Sequence, residues 1–302
     1  MMYFKKMNNK IYIFFAGLLL FAGCDREEEP VPAYLTVQPF ELKATNPAAH
    51  GSISEKIANA SMFLLNDDLK ESRSLGNVAL PANIPVLTEG EWKLNIDPVI
   101  KANGNSYFLQ AYPFYERFIT TVNFQPNEDV TVKPVTTYKD DCVFEFIEDF
   151  EGAGHLFTID RDDNPKTFLE SSKDDVFEGE FSGKILLDTA NYVFVATTNT
   201  LYQLTFDQGG KFFMEVNYKT PVPLEFGLIA IDNQGVESPN FEFVVLPKDE
   251  WNKIYFDMTD LVATSSANRF VFAIRAGIPF ENKQFTLDKA EIFLDNIKLV
   301  HF

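Results

Sequence analysis

Histidines, thiols and carboxylates do most of the catalysis and metal binding in proteins. This chain has three His, two Cys and 44 Asp plus Glu among 302 residues. His50, His155 and His301 stand in turn-like or terminal positions, and none shows the His-Glu-x-x-His spacing that puts two imidazoles on one helix face for zinc. No Gly-x-Ser-x-Gly elbow, phosphate-binding loop or dinucleotide fingerprint occurs. Glycoside hydrolysis needs two carboxylates at a set separation, but with so many acids such a pair has no readable signature. Asp160-Arg161-Asp162-Asp163-Asn164 offers side-chain oxygens at alternate positions, as a calcium loop does. Pro165, however, occupies the place that needs Gly, and Ser171 the place of the closing Glu, so an acidic turn is expected. Cys142 lies in the alternating run Asp141–Phe146 and is expected to be a small buried apolar group. The chain reads as non-enzymatic.

Period-two alternation dominates the elements that must position these residues. Strands are expected at 33–37, 60–65, 90–96, within 107–124 (interrupted by Pro113) and at 130–134. Turn signals separate them: Asn46-Pro47, Asn66-Asp67-Asp68, Asn103-Gly104-Asn105 and Pro126-Asn127. Only Ser52 to Asn59 has a helical look. A second series follows, with strands expected from Cys142 onward and at 184–187, 192–197, 201–206, 211–218, 224–231, 241–246, 253–258, 269–274 and 291–300. The expected fold class is all-β. An immunoglobulin-like or transthyretin-like sandwich over 33–139 precedes a jelly-roll sandwich over 140–302. No fixed-period repeat is present, which argues against a solenoid or propeller.

The second unit carries three short patterns: Glu148-Asp149-Phe150-Glu151-Gly152, then Glu178-Gly179-Glu180-Phe181-Ser182, and finally Leu294-Asp295-Asn296-Ile297. Together they resemble the galactose-binding-like jelly rolls of carbohydrate-binding modules. The resemblance implies glycan as a ligand. It also implies a structural calcium joining the first and last strands through Asp149, Glu151 and Asp295; a hard cation takes six to eight oxygens and can clip two chain ends together. Sugar rings stack on exposed aromatic faces flanked by polar groups. Trp251, Tyr192 and Tyr202 are the candidate ligand-binding residues, with Tyr218 as a further alternative. Tyr112-Pro113-Phe114-Tyr115 in the first unit is a candidate patch for a partner protein, with core packing as the competing role.

The N-terminus supplies an address. Lys5, Lys6 and Lys10 precede an uncharged apolar run from Ile11 to Ala22, too short to span a bilayer. Leu20-Phe21-Ala22-Gly23-Cys24 resembles the bacterial lipobox, in which the cysteine is acylated and becomes the mature N-terminus. The acidic tether after it, within 24–32, is similar to the surface-export signal of Bacteroidota lipoproteins. The resemblance implies a signal peptide over 1–23, lipid on Cys24, and an outer-membrane location facing the exterior. Loss of 1–23, which holds three lysines and no acid, takes the net charge from −18 to −21. That surface excludes nucleic acid as a partner. With Cys24 lipidated, Cys142 has no disulfide partner. The expected partners are the membrane, through the anchor, and glycan. The alternative is an accessory subunit of an outer-membrane transport, secretion or adhesion complex, and a glycoside hydrolase is the weaker one.

Overall fold

The computed structural model describes residues 30–206 and 210–302. Cys24 and the leader lie outside the described residues. The first unit contains β1 (Ala33–Val37), β2 (Glu41–Leu42), β3 (Asn59–Asn66), β4 (Glu71–Ala79), β5 (Ala82–Val86), β6 (Gly90–Lys101), β7 (Leu109–Ala111), β8 (Phe118–Phe124), β9 (Asp129–Val132) and β10 (Val135–Thr136). One sheet runs β5-β1-β9, with β1 antiparallel to β5 and parallel to β9. The other runs β4-β3-β6, and β7 and β8 share the far edge of β6. Alternation explains the burial: Leu35 and Val37 of β1 point inward with Met62, Leu64, Trp92, Leu94, Ile96 and Phe124. β10 and β2 form a short parallel pair, with Leu42 buried in the core.

The second unit contains β11 (Val143–Glu148), β12 (Ile159–Asp160), β13 (Leu169–Ser172), β14 (Ser182–Asp188), β15 (Val193–Thr197), β16 (Tyr202–Gln203), β17 (Phe212–Thr220), β18 (Leu224–Ile231), β19 (Glu237–Val245), β20 (Lys248–Asp257), β21 (Arg269–Gly277), β22 (Phe280–Glu281), β23 (Gln284–Phe285) and β24 (Lys289–His301). Two antiparallel sheets face each other, β13-β14-β24-β17-β20 with β11 beside β24, and β12-β15-β21-β18-β19 with β16 beside β21. Ile185, Met214, Phe256, Ile292 and Leu299 of the first meet Phe194, Phe226, Phe243, Phe272 and Ile274 of the second in one core. The architecture is all-β, two sandwiches in sequence.

Central β24 is buried on both faces over most of its length. Its inner face meets the opposite sheet. A bulge at Asn296, which adopts φ 49°, resets the alternation, so that both Leu294 and Ile297 face the core. The outer face of β11, β17, β20 and β24 is covered by the first unit: Phe213, Tyr255 and Val300 belong to the same apolar cluster as Tyr112, Phe114 and Tyr115. The Tyr112–Tyr115 patch expected as a candidate partner site is therefore an internal interface.

A buried charge sits in that interface. Glu215 and Lys253 pair at 2.6 Å with side chains 0% and 3% exposed. Tyr112 and Tyr138 hydroxyls donate to Glu215 at 2.7 and 2.8 Å. Burial alone would raise the Glu215 carboxyl; the Lys253 and Lys298 ammonium groups and the tyrosine hydroxyls hold it below the usual carboxylate value.

Ser52 to Asn59, the stretch with a helical look, forms no helix: Asn59 opens β3 and 52–58 is irregular. Its polar groups are used by the second unit instead: Lys298 Nζ donates to the His50 and Ser52 carbonyls, Lys253 Nζ to that of Ser54, and Lys56 N–H to the Tyr255 hydroxyl. The two helical turns among the described residues are α1 (Pro47–His50) and α2 (Thr259–Ala263).

Candidate functional site

The half of the β14-β24-β17-β20 face that the first unit leaves uncovered forms an open groove of about 560 Å³. Its walls are charged: Asp174, Asp175, Lys184, Lys219, Lys248 and Glu291 all line it. Alternation places Lys184, Lys219, Glu291 and Phe293 on one face, and the bend between β13 and β14 supplies Asp174 and Asp175. Lys184 and Lys219 flank Phe293 on adjacent strands at the same register. Trp251 of the edge strand β20 stands beside the groove, partly exposed, with its ring 5.7 Å from Phe177 and 6.5 Å from Phe293.

The indole is oriented by hydrogen bonding. Trp251 Nε1 donates to Asp175 Oδ1 at 2.7 Å, and Lys219 Nζ pairs with Asp175 Oδ2 at 2.5 Å. Burial would raise Asp175, but those two donors outweigh it and hold the carboxyl low. Asp174 is held low by its hydrogen bond from Lys184, and Glu291 by its hydrogen bond from Lys289. The acids are thus fixed as acceptors and the lysines as donors around an aromatic wall.

The turn before β14 builds the groove's rim and accounts for the Glu178–Ser182 pattern. Gly179 sits at φ 78°, and a Cβ there would lie 2.2 Å from Glu151 Oε1. That oxygen accepts from Glu180 N–H at 2.7 Å and Phe181 N–H at 2.9 Å. Ser182 Oγ donates to the Asp175 carbonyl at 2.5 Å. Asp295, buried, accepts from Glu178 N–H at 3.2 Å and from Asn296 N–H at 2.8 Å. Desolvation pushes Asp295 up to about 7, the two amides oppose this, and the nearby charges of Glu178 and Glu151 add to it.

The expected calcium ligands are only partly brought together. Glu151 and Asp295 both accept from the turn at 178–181, whereas Asp149 is exposed and spends an oxygen on Glu151 N–H at 3.1 Å. Among the described residues no group of three or more His, Cys, Asp or Glu is arranged to hold a metal ion. Carboxylate-to-amide hydrogen bonds join β24 to the turn before β14 and the end of β11 to that same turn. The Asp160 loop is an acidic turn, its carboxylates accepting from Asp162, Asp163, Asn164 and Val195 N–H groups.

The three aromatic candidates part company. Trp251 lies at the groove. Tyr192 is exposed but belongs beside the other sheet, 5.0 Å from Phe285. Tyr202 is corrected: it is 6% exposed, wedged between Phe146 and Phe272 in the core, and has no free face for a sugar. Tyr218 is likewise buried. Sequence reasoning missed Phe177, Phe293, Asp175 and Lys219. Phe293 and Lys219 are out of phase with the core positions of their strands, a signal that was available. Cys142 is half-buried with its thiol pushed up to about 12 by burial, in keeping with a packing role.

No protein-family model and no curated protein matches the chain. Solved structures similar to it include the CBM22-1 xylan-binding domain of Xyn10C from Paenibacillus barcinonensis (14% identity, 52% of this chain and 92% of that one, TM-score 0.36). They also include the family 30 carbohydrate-binding module of the cellulosomal cellulase Cel9D-Cel44B from Clostridium thermocellum (9% identity, 51% and 96%, TM-score 0.37). A carbohydrate-binding module of the β-sandwich superfamily is similar over 80% of this chain and 85% of its own (12% identity, TM-score 0.35). At these TM-scores the likeness says nothing of what this chain binds.

Proposed function

We propose that the chain is a non-catalytic glycan-binding lipoprotein, anchored through Cys24 at the outer membrane with its two sandwiches facing the exterior. One observation carries the binding reading. A partly exposed indole, oriented by Asp175, borders an open groove whose acceptors and donors are fixed by ion pairs. Saccharide sites combine an aromatic surface for the ring's C–H face with oriented polar groups for its hydroxyls. Binding is favoured over hydrolysis by the same electrostatics. A glycosidase needs an accessible carboxylic acid raised enough to protonate the leaving oxygen; in the groove Asp174, Asp175 and Glu291 are each held low by a lysine, and Asp295, raised to about 7, is only 1% exposed.

The anchor reading rests on the lipobox-like run ending at Cys24 and on the acidic tether after it. Among the described residues no helix is long and apolar enough to cross a membrane.

The test is a glycan array followed by calorimetric titration of the best ligand. Trp251→Ala removes the aromatic wall and should weaken binding about tenfold or more, the scale of losing one aromatic contact. Equal affinity in the variant, or no glycan bound by the wild type, refutes the assignment of the site.

A further inference from the structure

A second cleft, of about 440 Å³, opens where the two units meet, along β20. Its lining combines Lys56 from the segment before β3, Lys101 at the end of β6, and Lys248 at the start of β20. Lys253 also contributes, but its charge is taken by Glu215. No Asp or Glu lines the cleft, and none of Lys56, Lys101 and Lys248 has a carboxylate within ion-pair distance among the described residues. This is unusual in a chain with 44 acidic and 26 basic residues. Burial lowers Lys56, and the charges of Lys248 and Lys101 lower it further, so the cleft concentrates positive charge that nothing in the lining balances.

The remaining walls suit a saccharide. Asn103, Asn105 and Ser106 line it with amide and hydroxyl groups, while the Asn252 amide is engaged, accepting from Lys56 Nζ and donating to the Tyr218 hydroxyl. Val244 and Leu246 are exposed apolar wall residues. Tyr107, next in the chain to Ser106, is 94% exposed, and Phe108 follows it. Lys248 lines both this cleft and the Trp251 groove.

We propose that the junction cleft binds the anionic group of an acidic glycan, a uronate carboxylate or a sulfate, through Lys56, Lys101 and Lys248. This deepens and rests on the glycan reading above. Three ammonium groups converging from separate segments form a charge-assisted donor set for such an anion.

Calorimetry with trigalacturonate, its fully methyl-esterified form and inorganic sulfate tests it on the full-length mature protein. The ester preserves ring and hydroxyls and removes only the charge. Wild type should bind the acid about tenfold or more tighter than the ester, and added salt should narrow the gap. The double variant Lys56→Gln, Lys248→Gln, checked for an unchanged melting temperature, should bind the acid as weakly as wild type binds the ester. Competition by sulfate identifies a general anion site; failure of sulfate to compete identifies a carboxylate-selective one. Equal binding of acid and ester, an unchanged double variant, or wild type that binds neither acid nor sulfate overturns the proposal. If neutral glycans still bind in a Trp251-dependent way, the groove reading survives that outcome. If instead the acid binds through the lysines but ignores Trp251→Ala, the groove fails and the cleft stands.

Discussion

Glu215→Gln is the sharpest probe of how the two units are held together. The substitution preserves volume and leaves an amide oxygen that can still accept from Tyr112 or Tyr138. It removes the charge facing Lys253, whose Nζ keeps only the Ser54 carbonyl at 2.7 Å. Breaking a buried ion pair by removing one partner costs about 3–5 kcal/mol, because the survivor is buried unpaired. The retained amide acceptor places this case near about 3 kcal/mol. In a chain of this size each kcal/mol moves the melting temperature by about 2–4 °C, so a drop of about 6–12 °C is expected. Tyr112→Phe, which removes one hydrogen bond to a charged group, should cost about 1.5–3 kcal/mol. The pH dependence follows from the depressed carboxyl. A folded-state value below the ordinary 4.5 gives stability that is fully present above that value and lost as pH falls through the folded-state value. Wild type should therefore lose more stability than Glu215→Gln on acidification below about 4.5. Urea titration and calorimetry at neutral and acid pH measure both effects. A variant within about 1 kcal/mol of wild type, with an identical acid profile, would refute the account of the interface.

Excess EGTA should leave the melting temperature unchanged, since an Asp149 oxygen is spent on Glu151 N–H and oxygens of Glu151 and Asp295 already accept backbone amides. A drop of several degrees, reversed by calcium, would put a cation between Glu151, Glu178 and Asp295. Cys24→Ser should shift the protein from the detergent-extracted membrane fraction to the soluble one; membrane retention of that variant counts against the anchor.

The legibility of the fold followed the burial pattern. Strands of the second unit such as β14, β18 and β21, the last two buried on both faces over most of their length, were readable as apolar runs of strand length bounded by turn signals. β4 was not. It exposes nearly every residue of Glu71–Ala79 and so carries no apolar period at all. The helical look of Ser52 to Asn59 was too short to carry weight, and the carbonyls and amides of this stretch serve a lysine and a tyrosine nearly 200 residues away. Among the site residues, Trp251 stood out by type, while Tyr202 failed because type says nothing about which face a short strand turns inward. The partners that orient Trp251 were invisible, because Asp175 and Lys219 meet only after β13, β14, β24 and β17 are side by side.

The same reasoning explains why the lysine cleft has no sequence motif. Lys56, Lys101 and Lys248 come from both units, and they converge only while the first unit stays seated on the outer face of β17, β20 and β24. The polar seat formed by Glu215, Lys253, Tyr112 and Tyr138 is costly to bury, and an apolar patch of equal area would hold two sandwiches together with less desolvation. Its hydrogen bonds are directional, however, and an apolar contact's are not. Tyr112 and Tyr138 must present their hydroxyls to one carboxylate, and Lys253 and Lys298 must reach four atoms between them: Glu215 Oε2 and the carbonyls of Ser54, His50 and Ser52. Satisfying all of these fixes both the rotation of one unit on the other and the path of the chain into Lys56. A cleft assembled from two units needs that fixed orientation, since a small rotation would separate Lys101 from Lys248. The buried network and the exposed cleft are thus linked through β20, which carries Lys253 and Tyr255 on the covered half of its face and Trp251 beside the open groove.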